Sequence, residues 1–248
     1  MEVEIYDLEG NPVRKMETPS IFNSTIRPDL VKRVMLAQQS HRFQPKGRDP
    51  LAGMRTTAES WGTGRGASRM PRVKGEGYSA SGAAALAPGT VGGRLAHPTT
   101  SAKSIRKLVN RKERRAALRS AIAATSKREL VAKRGHVVEK VLSFPLVTVD
   151  DIQKIKKTKD VRRIMTILGL WSDVLRASEA RGRVGAGPLI VVDQDEGVGK
   201  AISNIPGVEV VKVGVLNAEI LAPGSHPGRL TLWSESAAKK LDELFCGD

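Results

Sequence analysis

The run PLIVV, Pro188–Val192, is short, apolar and without a polar face, the pattern of a strand buried on both sides. Phe144–Val149 repeats it, and Val208–Val213 and Arg229–Trp233 look like two more. Helical segments around Val161–Leu168, Gly199–Asn204 and Ser234–Phe245 separate these runs. Strands alternating with helices imply a mostly parallel sheet covered on both faces. Nearer the N-terminus, Met1–Asp7 alternates like a strand with Val3 and Ile5 on one face, and Glu9-Gly-Asn11 marks a turn. Pro28-Asp29 opens a helix through about Phe43, with Leu30, Val31, Val34, Met35 and Ala37 as its apolar stripe. Asn110 can cap a helix through Thr125, and a shorter helix, Ser126–Arg134, ends at Gly135. The expected fold class is α/β: a mostly parallel sheet with flanking helices, Rossmann-like in three layers, interrupted by a long extended basic loop.

That interruption runs from Gln44 to Pro98, where neither period survives and eleven glycines and five prolines replace it. Residues 1–43 and 99–248 are expected to form one globular domain, with 44–98 as the loop. A disordered insertion is the plain alternative. Against it stand Trp61 and Met70, the low serine count and the helices abutting both ends. Run out and back as a hairpin, such a loop reaches at most about 90 Å, at roughly 3.3 Å per residue.

The net charge of +15 is concentrated in this region. Residues 1–43 hold six bases and six acids, and 136–248 hold fifteen of each. Residues 44–115 hold fifteen bases against four acids, and 116–135 add five against one. A basic block between neutral flanks is a footprint for a polyanion, because neutralised phosphates release condensed counterions. A membrane surface is disfavoured, since it needs an amphipathic helix with bulky apolar anchors, and no run of eighteen apolar residues exists to span a bilayer. The acidic start, Met1-Glu-Val-Glu-Ile5, reads as a strand rather than a secretory signal, and the single cysteine, Cys246, suits a reducing cytosol.

Enzyme motifs fail on context. Gly62-Thr-Gly64-Arg-Gly66-Ala67 fits the dinucleotide fingerprint formally, but no strand precedes it, Pro71 follows, and an arginine lies inside it. In Gly197-Val-Gly199-Lys200-Ala201, alanine stands where a P-loop needs a metal-binding hydroxyl, so a tight turn before a helix is the better account. His41, His97, His136 and His226 lie far apart, without ligand spacing or a nucleophile partner, and read as surface or capping residues. Trp171 and Trp233 read as core. No cofactor, metal or catalytic group is expected. Glycine with arginine does suit RNA: glycine allows close backbone approach, and arginine pairs bidentately with phosphate and stacks on bases.

The segments ESWGTGRGASRMPRVKGEG (59–77), APGTVGGRLAHP (87–98), ALRSAIAATS (117–126), KRGH (133–136), KKTKDV (156–161) and NIPGVEVVKVGVLNAEILAPGSHPGRLTLWSESA (204–237) carry a resemblance that spans nearly the whole chain. Together they resemble the universal large-subunit ribosomal protein L-four family, in its archaeal and eukaryotic branch. The chain length and the TVGGRLAHP wording match the archaeal type. The resemblance implies a structural, non-enzymatic protein of the cytoplasmic ribosome that binds large-subunit rRNA early in assembly and threads its loop into that RNA. It also implies that the loop tip, Trp61, Gly62, Thr63, Gly64, Arg65, Gly66, Arg69 and Met70, helps line the exit tunnel. There it would meet the nascent peptide and face a protein of the L-twenty-two family. The expected rRNA contacts are Arg48, Arg55, Arg65, Arg69, Arg72, Lys74 and Arg94 in the loop. Lys103, Arg106, Lys107, Arg111, Lys112, Arg115 and Arg119 complete them at its base and on the following helix. Two departures stand out: Arg181–Gly187 replaces a longer basic stretch common in the family, and Tyr78–Ala85 makes the returning arm less basic. The rival readings are a free RNA chaperone and a dinucleotide-dependent enzyme.

Overall fold

The computed structural model describes residues 2–180 and 185–245. The expectation for Arg181–Gly187 therefore falls partly outside the described residues, and that for Cys246 wholly. Six strands build one mixed sheet: β1 (Glu2–Tyr6), β2 (Pro12–Glu17), β3 (Leu146–Thr148), β4 (Leu189–Val192), β5 (Glu209–Lys212) and β6 (Thr231–Ser234). Their order is β2-β1-β3-β6-β4-β5, with β2 antiparallel to β1 and every other pairing parallel. The PLIVV run lies between β5 and β6, and all four residues of β4 are buried.

The two-residue period of the strands sorts their side chains into two cores. Ile190, Val192, Leu146 and Leu232 enter one core; Leu189, Val191, Val147 and Trp233 enter the other. The first is closed by α3 (Arg128–Lys133), α4 (Thr158–Ile167), α5 (Trp171–Ser178) and α6 (Val198–Ile202), through residues such as Val131, Ile164, Val174 and Ile202. The second is closed by α1 (Pro28–Ser40), α2 (Arg111–Thr125), α7 (Ala218–Leu221) and α8 (Glu235–Phe245), through Val31, Ile122, Leu221 and Leu241. Helices thus pack on both faces. With aromatics at 4% of the chain, their contribution is concentrated where Phe22 meets Trp233 edge-on, ring centres 5.6 Å apart.

The differences from the sequence reading have local causes. Strand β2 carries no apolar alternation, since its residues are exposed or half-buried; pairing to β1 alone makes it a strand. Helix α1 stops at Ser40, whose Oγ donates to Ala37 O at 2.6 Å and accepts from Lys107 N–H at 2.9 Å. Strand β6 starts two residues later than the Arg229–Trp233 run. Arg229 is itself buried and donates to Gly187 O and Ile220 O at 2.9 Å and to Glu209 at 2.6 Å. Trp171 is half-buried rather than core, with the Arg162 guanidinium 4.8 Å from its ring centre.

Residues 42–106 form a unit of their own. It has no helix and no named strand, and none of its residues is buried. Backbone pairing joins its outgoing and returning segments instead. Arg48 N–H donates to Thr99 O at 3.0 Å, and Glu59 and Arg72 exchange two N–H···O bonds of 3.0 Å each. A second bridge links Arg72 to Ala84. Gly53, at φ +78°, meets Gly93 so closely that a Cβ on Gly53 would lie 2.5 Å from the Gly93 carbonyl carbon.

Candidate nucleic-acid interface

Helix α2 shows how the sequence builds a basic face. Ala117, Ser120, Ala121 and Ala124 are buried, and small residues there let α1 and α2 pack closely. Ser120 Oγ also accepts from Arg27 N–H at 2.6 Å. The opposite side then carries Arg111, Arg115 and Arg119 at four-residue spacing, about 6 Å per step along the axis. None of the three has a carboxylate partner among the described residues; the acid of this helix, Glu113, pairs with Arg33 at 3.1 Å. The Nε of Arg119 is buried without a hydrogen-bond partner. Lys107 and Lys112 are exposed and likewise unpaired by acids among the described residues. Arg114, exposed on the same helix, belongs with this set although the sequence reading left it out of the expected contacts.

In the 42–106 unit, Arg48, Arg55, Arg65, Arg69, Lys74, Lys103 and Arg106 are exposed, while Arg72 and Arg94 are half-buried. Arg55 pairs with Asp49 and Lys74 with Glu59. Arg72 is the centre of the unit. Its NH1 donates to Gly82 O at 2.9 Å, its NH2 to Ser68 Oγ at 3.2 Å, and its guanidinium lies 5.1 Å from the Trp61 ring centre. Arg65 lies 5.6 Å from the same ring, so Trp61 gathers two cations. Arg48, Arg65, Arg69 and Arg94 have no carboxylate partner among the described residues. At the tip, Gly62, Gly64 and Gly66 all hold positive φ with open space around each Cα, and Thr63 and Arg69 are exposed beside half-buried Met70. No strand precedes these glycines and no helix follows them, so the dinucleotide fingerprint lacks its context.

The turn before α6 has its own occupant. Asp195 Oδ1 accepts from Gly197 N–H and Gly199 N–H at 3.0 Å each, filling with a protein carboxylate the place an anion would take. The Gly199 N–H, and then that of Gly197, hold the Asp195 carboxyl below the usual carboxylate range. The carboxyl ends of β3 and β6 are closed as well. Asp150 Oδ1 accepts from Ser236 N–H at 2.9 Å and Ser236 Oγ at 2.7 Å, and Gln153 reaches Ser236 Oγ at 2.8 Å. Among the described residues no group of three or more His, Cys, Asp or Glu is placed to hold a metal ion.

His136 corrects the sequence reading of the histidines. The other three are exposed, but His136 is buried, with Nδ1 2.8 Å from Asp173 Oδ2. Asp173 Oδ1 also accepts from Val137 N–H at 2.9 Å and Arg176 Nε–H at 2.8 Å. Burial pushes the imidazole below its ordinary value against the pull of Asp173. Burial alone would raise the Asp173 carboxyl; hydrogen bonds from His136 and Arg176 overcome that and hold it low. Nearby Arg134 is pushed down to about 10, by burial first and then by Arg229 and Arg176. The partners lie 37 residues apart in sequence, beyond any local spacing rule.

An α/β core carrying a row of unpaired arginines, together with a coreless basic unit, is the make-up of a polyanion-binding protein. Comparison with known proteins makes the class specific. Residues 16–244 match the ribosomal protein L4/L1 family. The chain is 48% identical to "Large ribosomal subunit protein uL4" of Methanopyrus kandleri over 98% of both chains. It is 44% identical to the protein of the same name from Methanosphaera stadtmanae, over 98% of this chain and 97% of the relative. To that of Archaeoglobus fulgidus it is 43% identical, over 99% and 100%. The chain belongs to the ribosomal protein L4/L1 family.

Proposed function

We propose that the chain is a structural constituent of the large ribosomal subunit in the cytoplasm, a primary rRNA-binding protein that acts early in subunit assembly and is not an enzyme. The observation that carries this reading is the 42–106 unit, which has paired arms and many cations but no buried residue. A segment that buries nothing of its own gains its lasting order from a partner. Its excess of arginine makes that partner a polyphosphate. The arginine row of α2 supplies a second contact surface.

In this proposal residues 44–98 act as an extended loop inserted into rRNA, with 1–43 and 99–248 as the globular domain, whose two-faced sheet fits a Rossmann-like three-layer arrangement. The open tip from Trp61 to Met70 helps line the exit tunnel, beside the nascent peptide and a protein of the L-twenty-two family. Arg72 acts mainly by holding the tip together, while Arg48, Arg65, Arg69 and Arg94 have guanidinium groups free for phosphate. The non-enzymatic reading is supported by the Asp195 carboxylate, which takes up the N–H groups of Gly197 and Gly199 that would otherwise face an anion at the turn before α6. No helix among the described residues is long and apolar enough to cross a membrane.

Sucrose-gradient fractionation of cell extract at low and high salt tests the proposal. Retention of the chain on large subunits after the high-salt wash is the expected result, because surface charge binding alone is stripped by salt. Recovery at the top of the gradient at both salts would favour a free RNA chaperone instead.

A further inference from the structure

A notch of about 340 Å³ lies beside the arginine row, between α1, α2, α7 and the end of α8. Leu118 and Phe245 give it an apolar lining with one aromatic ring, and Arg114 and Arg115 complete its wall on the α2 side. Neither guanidinium has a carboxylate partner among the described residues. Gln38 and Asn217 also line it, and each has its carbonyl oxygen already engaged: Gln38 Oε1 accepts from Glu219 N–H at 3.1 Å, and Asn217 Oδ1 from Ile220 N–H at 2.9 Å. Among the described residues their amide NH2 groups have no acceptor and remain as donors. The polar side chains of the notch therefore offer donors and positive charge around an aromatic ring.

We infer that this notch holds one unpaired nucleotide of the bound RNA. A nucleobase supplies a flat face for Phe245 and carbonyl or ring-nitrogen acceptors for the two amides. Its phosphate supplies the anion for Arg114 and Arg115. The volume is at the lower end of small-ligand pockets, the size class for a single nucleotide rather than a folded element. Unstacked bases set on aromatic side chains are a usual mode of RNA recognition. An acidic, apolar peptide could neutralise the arginines, but it would leave the aromatic face and the paired amide donors without a matched planar group. The inference rests on the rRNA-binding reading of α2, because it gives one nucleotide of that RNA a fixed seat.

The test is an NMR titration of the labelled full chain with adenosine monophosphate and, separately, with inorganic phosphate and with an acidic Leu/Asp peptide. The nucleotide is expected to shift the Leu118 methyl and Phe245 ring resonances, with inorganic phosphate leaving both in place. Phe245→Leu keeps apolar volume but removes the ring, and is expected to weaken the nucleotide about tenfold, the order for one aromatic stacking partner. Gln38→Glu keeps an acceptor for Glu219 N–H while replacing the amide donor to the base with a negatively charged acceptor, and is also expected to weaken the nucleotide. If Phe245→Leu melts early, Gln38→Glu and the exposed Arg114→Gln decide. Equal shifts with inorganic phosphate, tighter binding of the peptide, or no response to the nucleotide would each overturn the inference. A chain retained on salt-washed subunits with a notch blind to nucleotide overturns the notch alone. A chain that binds nucleotide there yet leaves the subunits overturns the ribosomal reading and keeps the notch.

Discussion

Replacing Asp173 with asparagine tests a fully buried carboxylate that serves three donor residues. In the wild type it accepts from Val137 N–H, Arg176 Nε–H and the His136 ring. Asparagine with its oxygen in the Oδ1 place still accepts from Val137 N–H and Arg176 Nε–H, but it loses the charge and turns an NH2 group onto His136 Nδ1 and the Arg176 NH2 group. Removing one partner of a buried charge pair costs about 3–5 kcal/mol. The Arg176 side chain is 34% exposed, so water screens its loss and the lower end, about 3 kcal/mol, applies. For a domain of this size, about 2–4 °C per kcal/mol gives a melting temperature lowered by roughly 6–12 °C at pH 7.

The pH dependence gives a second, independent readout. The folded-state value of His136 lies below its ordinary one, so the native state holds the neutral ring while the unfolded chain takes up a proton. Its contribution is present above about pH 6.5 and is lost as pH falls from there through the lowered folded value. Asp173, also held low, contributes stability above its ordinary range that is lost only in stronger acid. In the asparagine variant the carboxylate that favours the imidazolium is gone, so the folded value of His136 drops further. The gap between variant and wild type is therefore expected to stay level near neutral pH and to widen as pH falls through the lowered folded value of the wild-type ring, at no more than about 1.4 kcal/mol per pH unit. Scanning calorimetry of both chains along a descending pH series measures it. A melting temperature unchanged by the substitution at pH 7, or a gap that narrows as the wild-type ring takes up its proton, would refute the assigned protonation states.

Three further outcomes are expected. Changing Arg111, Arg115 and Arg119 together to glutamine should lower the magnitude of the log–log salt slope for binding an rRNA fragment by about 2–3, at about 0.7–0.9 per phosphate contact; filter binding across a salt series measures it, and an unaltered slope would remove the row from the interface. Gly93→Ala places a Cβ 2.1 Å from Ala87 O, so amide exchange in residues 42–106 should accelerate while the melting of the sheet core stays put; unchanged protection of the Gly93 and Arg94 amides would refute the close approach. A chain in which residues 1–41 and 107–248 are joined by a few glycines should still unfold cooperatively, since Lys107 N–H already reaches Ser40 Oγ at 2.9 Å; loss of cooperative unfolding in calorimetry would mean that the excised unit supports the core.

How much of this is legible in the sequence depends on whether one residue's environment can be inferred from its neighbours in the chain. In β4 it can, because burial on both faces leaves no position for a polar residue, and a short all-apolar run between turn residues fits a central strand. In β2 it cannot: the strand sits at the sheet edge, and its pattern is set by partners on β1 rather than by a core. The same limit governs the buried polar groups. His136 follows Lys133-Arg134-Gly135 and looks like a surface residue, until α5 brings Asp173 against it. A visible trace exists only at the other end, where Asp173 sits in the short amphipathic helix WSDVLRAS on the side of buried Val174 and Ala177.

Charge is the property read best in aggregate and worst residue by residue. The excess of bases in 44–135 needs no geometry to count, but it runs across two settings: residues 42–106 form a unit of their own, while helix α2 belongs to the α/β unit. It treats Arg72 and Arg69 alike, yet Arg72 turns both terminal nitrogens onto Gly82 and Ser68 while Arg69 stays exposed without an acidic partner. The difference follows from backbone pairing. Arg72 is bridged to both Glu59 and Ala84, so its side chain is fixed over Trp61, whereas Arg69 lies in the open turn between the bridged positions. A polyanion would thus meet two kinds of arginine: one that keeps the unit in shape, and others whose guanidinium groups are free for phosphate. Neutralising Arg72 should then lower affinity by loosening the tip, with accelerated exchange at the Glu59 and Arg72 amides. Neutralising Arg69 should lower the salt slope and leave those amides protected. The two effects separate shape from charge within a stretch whose composition makes them look the same.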